Sequence, residues 1–265
     1  MDVIELFKDS LVYPTKDFNK LLMFGVLFIV MGILTIFEAF GIALSQYIGA
    51  DILAVISWIL RILITLIVFG YTLNITGKTI NNVEGDIPEL NLVKNFIDGV
   101  KVLILDIVYF IIPFIVVLII AFATGVFGNF YNLMTYTASG AASIPQALIA
   151  SLGVSFLTII IVGGIFFIIF ALLFTIARAV LAETESLTAA IDMVAVFKKI
   201  GEIGWGNYIL WIIIFIIVSI VLALITAIVT AIPFIGIIIA LLVINSFVEM
   251  FSARAVGLLY NESKE

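Results

Sequence analysis

Seven polar side chains stand inside otherwise apolar stretches of this sequence, and they are the residues whose types could do chemistry. A charge in the bilayer core costs roughly 2.5–3.5 kcal/mol on insertion scales, so each one requires either a compensating partner or a function. The intramembrane polar candidates are Glu38, Arg61, Asp106, Arg178, Asn245, Glu249 and Arg254. Such groups act either as ion pairs between helices or as the lining of a polar pathway.

Glu38 and Arg61 form the first candidate pair. If the first two spans make a hairpin about a turn at residues 45–51, these two side chains face each other within about one helical turn. The pattern favours a buried ion pair that locks the hairpin. Two alternatives remain open: a charged lining for a polar pathway, and an Arg61 that extends its charged end to the membrane surface.

The other five candidates lie toward the inner leaflet. Glu249 and Arg254 are five residues apart on the last span, so they do not share a helix face. We therefore expect pairing across helices, such as Arg178 with Asp106 or with Glu249. A proton or ion relay is the alternative, because it requires several carboxylates that converge on a cavity.

Small residues recur at every fourth position of the fifth span. The stripe consists of Ser219, Ala223, Ala227 and Ala231. Small side chains let two helices approach closely. Within one chain the stripe is a packing surface, which is the interpretation we favour; between chains it would be the contact of a homo-oligomer.

The residue types exclude several kinds of chemistry. The chain has no cysteine and no histidine, which removes disulfides, thiolate zinc sites, cysteine nucleophiles and Ser-His-Asp triads. It carries no phosphate-binding glycine loop and no nucleophile elbow, and its net charge of −6 comes without a basic run. We expect no catalytic residue, cofactor, metal site or nucleic-acid partner, and therefore no enzyme.

The elements that position these residues are membrane spans. Hydrophobic residues make up 65% of the chain and charged residues 11%, far from the balance of a soluble domain. Residues 107–177 and 203–248 contain no charged side chain, and each stretch is long enough for two spans. We predict an all-α integral membrane protein with about six transmembrane helices. The predicted spans cover residues 21–44, 52–73, 103–127, 150–180, 208–231 and 234–251.

Charge placement predicts the orientation. Every lysine and arginine except Arg61 lies near a terminus or in the connectors that follow spans two and four, which places both termini on the cytoplasmic side. The uncharged loop at residues 129–146 then lies outside.

Amphipathic stretches precede the odd-numbered spans at residues 3–11, 90–101 and 187–203. They predict helices that lie in the interface plane or pack on the cytoplasmic ends of the bundle, with both alternatives open. The recurrence predicts one transmembrane domain over residues 1–265, built from three helical hairpins as internal repeats at about 1–75, 86–182 and 185–258.

A short signature resembles a known family. Its parts are Gly70-Tyr71, residues 85–89 (Gly-Asp-Ile-Pro-Glu), residues 99–101 (Gly-Val-Lys), Tyr109 and Pro113. It is similar to the multi-pass membrane proteins catalogued as domain of unknown function 4013, found largely in methanogenic archaea. The resemblance implies a fold type and a plasma-membrane location, and it implies no activity. Physically, Gly85 and Pro88 would shape a loop, and Gly99 would let the amphipathic helix bend into span three.

Two classes of function follow from these observations. The leading prediction is a non-enzymatic membrane protein with a structural, organising or partner-binding role, whose surroundings are the lipid bilayer and whose protein partner is unidentified. The alternative is a transporter or channel for a small solute or ion, since transporters are often built from repeats.

Overall fold

The structure is a computed structural model that describes residues 3–42, 47, 49–81, 85–140 and 143–264. Within these residues the regular elements are helices, with no strand. The predicted turn at residues 45–51 falls partly outside the described residues.

The helices follow the apolar runs of the sequence. Those of the first half are α1 Val3–Val12, α2 Phe18–Met31, α3 Ile33–Ala39, α4 Ala50–Ile80, α5 Leu92–Ala123 and α6 Val126–Ala138. Those of the second half are α7 Gln146–Thr158, α8 Gly164–Thr184, α9 Leu187–Ile191, α10 Met193–Ile203, α11 Trp205–Thr230, α12 Ile235–Ile239 and α13 Asn245–Asn261. Short π-helical segments at Ile159–Gly163 and Ala240–Ile244 join α7 to α8 and α12 to α13.

Five helical segments of the described chain are long and apolar enough to cross a membrane. They begin at Ala50, Leu92, Gln146, Trp205 and Ile235. The pair α2 and α3 makes a sixth span if it counts as one, although it bends by 72° at Gly32. The predicted all-α membrane protein of about six spans is therefore confirmed.

The chain divides into two compact units. The first comprises Met1–Ile104 and Ile176–Glu265, and the second comprises Leu105–Thr175. The three predicted repeats do not coincide with these units and stay a prediction.

The core of the first unit is aromatic and lies where α2, α4 and α13 meet. Phe24 packs on Tyr71 with ring centroids 4.5 Å apart, and Met250 is fully buried in the same cluster. The first half of α5 crosses α4 at backbone distance, because a Cβ at Gly70 would meet the Asn95 carbonyl and one at Gly99 would meet the carbonyl of Leu66.

The second unit has a smaller core. Ala121, Val126 and Leu152 are buried together, and the hydroxyl of Ser155 donates to the carbonyl of Thr124 at 3.2 Å. The chain leaves α5 at Gly125, whose positive φ of 66° starts α6. The predicted loop at residues 129–146 is thus wrong over most of its length, because polar residues at helical spacing form α6 instead.

The amphipathic stretches give two different outcomes. Helix α1 buries Leu6 and Phe7, and α10 buries Val196 and Ile200, so both pack on the first unit. On their other faces apolar side chains stay exposed, including Ile4, Val194 and Phe197. The stretch at residues 90–101 forms no separate helix. Residues 92–101 begin α5 itself, which continues through Gly99 into the span, and this glycine lies at the close crossing with α4. The bend expected at Gly99 stays a prediction.

Candidate functional site: a polar groove between two spans

A groove of about 320 Å³ lies between α11 and α13 in the first unit. We call it the lateral groove, and its walls bring together residues from two of the predicted sets. It is lined by Ser219, Leu222, Ala223, Thr226, Asn245, Val248 and Glu249. In the sequence the small-residue stripe and the polar candidates are separate features, and in the structure both line this groove.

Helical periodicity explains both walls. Ser219 and Ala223 are one turn apart on α11, and Asn245 and Glu249 are one turn apart on α13, so each pair shares a face. The π-helical segment Ala240–Ile244 directly precedes Asn245. Such segments occur frequently at functional sites. Here the wider turn sets the direction in which the first polar residues of α13 face.

The polar atoms of the lateral groove are only partly used by the protein. The Thr226 hydroxyl donates to the Leu222 carbonyl at 2.8 Å. In the described part of the chain no hydrogen bond engages the Ser219 hydroxyl or the Asn245 amide. The cation acting electrostatically on the half-buried Glu249 carboxylate is Arg178 of α8. The groove can therefore accept a ligand or a helix that offers hydrogen-bonding groups.

Most of the small-residue stripe is exposed. Ala223, Ala227 and Ala231 are exposed, and Ser219 is half-buried. The interpretation we favoured, packing within one chain, is therefore wrong for the three alanines. Helix α11 touches the core mainly at its start, where Tyr208 and Trp211 are buried.

Glu38 and Arg61 are not brought together. Both side chains are exposed, and the ion pairs of the described residues include none between them. The path of α3 explains why the predicted ion pair of the first hairpin does not form. Helix α3 turns away from α2 at Gly32, and Phe40, directly after α3, contacts the ring of Phe234 at a centroid distance of 5.1 Å.

Arg254 has a partner that sequence spacing did not suggest. Its Nε lies 2.8 Å from Oδ1 of Asp9 in α1, and its Nη1 donates to the Thr79 hydroxyl at 3.3 Å. The guanidinium also lies over the Tyr13 ring at 5.1 Å. Arg254 is 8% exposed and the Asp9 side chain 35%, so this tie between α1 and α13 is buried at its Arg254 end.

The remaining two candidates sit on different units. Arg178 of α8 donates from Nη2 to the Thr72 hydroxyl of α4 at 3.0 Å. Asp106 is half-buried on the part of α5 that belongs to the second unit. Over the described residues no group of acidic side chains could hold a metal ion.

The Gly85–Pro88 segment is held by contacts that sequence reasoning missed. Three consecutive carbonyls accept hydrogen bonds: the hydroxyl of Tyr13 donates to Asp86 at 3.4 Å, Lys20 Nζ to Ile87 at 2.7 Å, and the hydroxyl of Tyr71 to Pro88 at 2.9 Å. We call these bonds the carbonyl clamp. The buried tyrosines of a membrane sequence were the signal available, since a buried hydroxyl needs a partner.

These features define a polytopic α-helical membrane protein with a polar groove between two of its spans. The chain matches the family described as protein of unknown function (DUF4013) over residues 52–231, which is more than half of its length, and it belongs to that family. The matched part begins in α4 and ends just after α11. No curated protein and no solved structure matches the chain significantly.

Proposed function

We propose that this protein is a non-enzymatic, partner-binding membrane protein, and that the partner at the lateral groove is a second copy of the chain. The single observation that carries the proposal is the exposed small-residue stripe that continues from a groove with unengaged polar groups. We place both termini on the cytoplasmic side, on the distribution of lysine and arginine. We place the protein in the plasma membrane because the family resemblance implies that location.

The burial of α11 supports a partner. Apart from Tyr208 and Trp211 near its start, no residue of this strongly apolar helix is buried within the chain. Lipid alone can cover large aliphatic side chains. A stripe of alanines beside an amide and a hydroxyl offers more to a second helix, because small residues allow close approach and polar groups bond across the contact.

The chemistry of the groove supports a helix as occupant. The Asn245 amide both donates and accepts, and the Ser219 hydroxyl does the same. Two copies related by a two-fold axis would place identical donor and acceptor groups opposite each other. Bonds of this kind in membranes contribute roughly 0.6 kcal/mol on average, so the association would be moderate and reversible.

Disulfide trapping tests the proposal directly, because the chain has no cysteine of its own. Oxidation in native membranes should cross-link two copies of the Ala223→Cys variant. The matched control is Val221→Cys, at nearly the same depth on the opposite side of α11, where Val221 is 49% exposed. Cross-linking at both positions alike, or at neither, would contradict the proposed contact.

A second variant separates contact from folding. Since Ala223 is exposed, Ala223→Leu should leave the monomer stable while it blocks close approach. Single-molecule photobleaching in bilayers would then count one copy per spot for Ala223→Leu and two or more for the parent. An unchanged count for this variant would exclude the stripe as the contact.

A transporter or channel is the second candidate, favoured by the 72° bend between α2 and α3. Transporter sites are commonly built beside interrupted helices. A membrane-impermeant maleimide should then label Asn245→Cys but not the lipid-facing Ile228→Cys, at a side chain that is 71% exposed. Silence at Asn245, in a protein that labels at Ser263→Cys, would count against a water-filled pathway.

A further inference from the structure

A second cavity, of about 200 Å³, lies at the junction of α4, α5 and the end of α8 in the first unit. We call it the lysine pocket. Its polar lining consists of Asn74, Lys78, Asn81, Lys94, Asp98, Lys101 and Glu185. All of these residues fall within the stretch that matches the family.

Helix geometry gathers the polar groups. Asn74, Lys78 and Asn81 recur at helical spacing on one face of α4, and Lys94, Asp98 and Lys101 do so on α5. The close crossing of the two helices at Gly70 and Gly99 brings these faces together. A pocket with this lining is therefore a direct result of the backbone packing.

The lysine pocket is lined by more positive than negative side chains. Lys101 Nζ is bound to Asp98 at 2.9 Å, and Glu185 is exposed. Among the ion pairs of the described residues none engages Lys78 or Lys94. Two ammonium groups therefore remain for an anion, and one exposed carboxylate offsets only part of their charge.

One amide beside the lysines is held in place by a buried neighbour. Asn74 Nδ2 donates to Asn95 Oδ1 at 2.6 Å, which fixes the Asn74 side chain in the pocket wall. Behind it, the Nδ2 of the fully buried Asn95 has no hydrogen-bond partner among the described residues. Asn95 does not line the pocket, so its amide serves the pocket only by fixing Asn74.

We propose that the lysine pocket binds a phosphate group, with the ammonium groups of Lys78 and Lys94 as its main partners. A phosphate carries enough negative charge to engage both, and lysine binds phosphate as a point charge. The pocket lies where one spanning helix ends and the next begins, the depth at which lipid phosphates are found. The phosphate can therefore come from a lipid headgroup or from solution.

Binding to the full chain tests this inference. Two probes are added to the purified protein in phosphatidylcholine nanodiscs: phosphatidic acid in the bilayer, and inorganic phosphate in solution. Lipid retention is measured by native mass spectrometry, and phosphate binding by the rise in Tm. Binding of phosphatidic acid alone identifies the lipid source, whereas a Tm rise with inorganic phosphate, or competition by it, identifies the soluble source.

The test variant is Lys78→Gln with Lys94→Gln, and it should weaken binding of the active probe roughly 10- to 30-fold. The matched control is Lys8→Gln with Lys198→Gln, which removes the same charge from exposed positions outside the pocket and should leave binding unchanged. Equal loss in the two double variants, undiminished binding in the test variant, or no binding of either probe to the parent would overturn the proposal.

Discussion

Arg254 and Asp9 join the last span to the first helix of the chain. The Arg254 Nε and the Asp9 Oδ1 are 2.8 Å apart, although the two residues are separated by 245 positions in the sequence. The guanidinium is almost enclosed, with Thr79 and the Tyr13 ring as further neighbours. The pair therefore fixes α1 against the bundle while it satisfies a charge that would be costly alone.

Removal of one partner of this pair should destabilise the protein. Asp9→Ala leaves a largely buried guanidinium without its carboxylate, which we expect to lower the free energy of unfolding by about 1–3 kcal/mol. Arg254→Ala with Asp9→Ala should cost less than the sum of the single changes. The comparison is the Lys199–Glu202 pair at 2.7 Å, whose side chains are 32% and 44% exposed, so that neither charge is enclosed as Arg254 is. Loss of a partner there should cost under about 1 kcal/mol. The free energies of unfolding of the parent, the two single variants and the double variant would be measured in detergent. Additive losses would argue against an interaction between Arg254 and Asp9.

Gly99→Ala should be destabilising, because a Cβ there meets the carbonyl of Leu66. Overpacking of this kind costs typically about 1–3 kcal/mol. The matched control is Gly153→Ala in α7, where a Cβ meets no atom within 4 Å. That change should be neutral or stabilising, since alanine is the better helix former. The relevant measurement is the Tm of both variants in the same detergent, and a Gly99→Ala protein as stable as the parent would contradict the close crossing.

Loss of the Tyr71 hydroxyl should loosen the Gly85–Pro88 segment. Tyr71→Phe keeps the ring packed on Phe24 but leaves the buried Pro88 carbonyl without its donor, at a cost of about 1–3 kcal/mol. Limited proteolysis should cut the variant faster within the segment. Tyr131→Phe, at an exposed hydroxyl, is the control and should be cut like the parent. Equal cutting of all three proteins would show that the clamp does not hold the segment.

Alkaline pH should lower the stability of the folded protein through ionisation of Tyr13, which also belongs to the carbonyl clamp. Burial raises the pKa of Tyr13 above its ordinary value, and the nearby Arg254 opposes that effect only in part. Because the folded protein then holds the phenolic proton more tightly than the unfolded chain, the contribution to stability is constant below about pH 10 and falls as the pH rises further. The Tm of Tyr13→Phe should decline less steeply over that alkaline range than the Tm of the parent. Parallel declines in the Tm of the two proteins would exclude Tyr13 as a source of the alkaline destabilisation.

Much of the architecture could be predicted from the sequence because the bilayer imposes simple rules. A long uncharged run such as residues 203–248 favours spanning helices, because a helix satisfies its own backbone hydrogen bonds in lipid. The family signature could also be recognised in the sequence, although the role of Gly99 could not. A glycine before a span is consistent with a bend or with a close crossing, and only the position of Leu66 distinguishes the two.

The site was less predictable because the partner of a polar side chain depends on how the helices pack against each other. Glu38 and Arg61 are at matching depths in a hairpin, yet the turn at Gly32 separates them. Asp9 precedes every span and carries no mark of its bond to Arg254. The meeting of Ser219 with Asn245 depends on how α11 and α13 pack, which spacing within either helix does not specify.

Helix α4 has one further consequence. Its buried residues begin at Ile64, whereas Ile52, Val55 and Trp58 near its start are exposed. The second half of the helix is therefore anchored by contacts within the protein, whereas the first half is largely exposed. A thinner bilayer would be met by tilting the unanchored half, since tilt is the usual response to hydrophobic mismatch. The orientation of the first half of α4 should therefore depend on membrane thickness more than that of the second half.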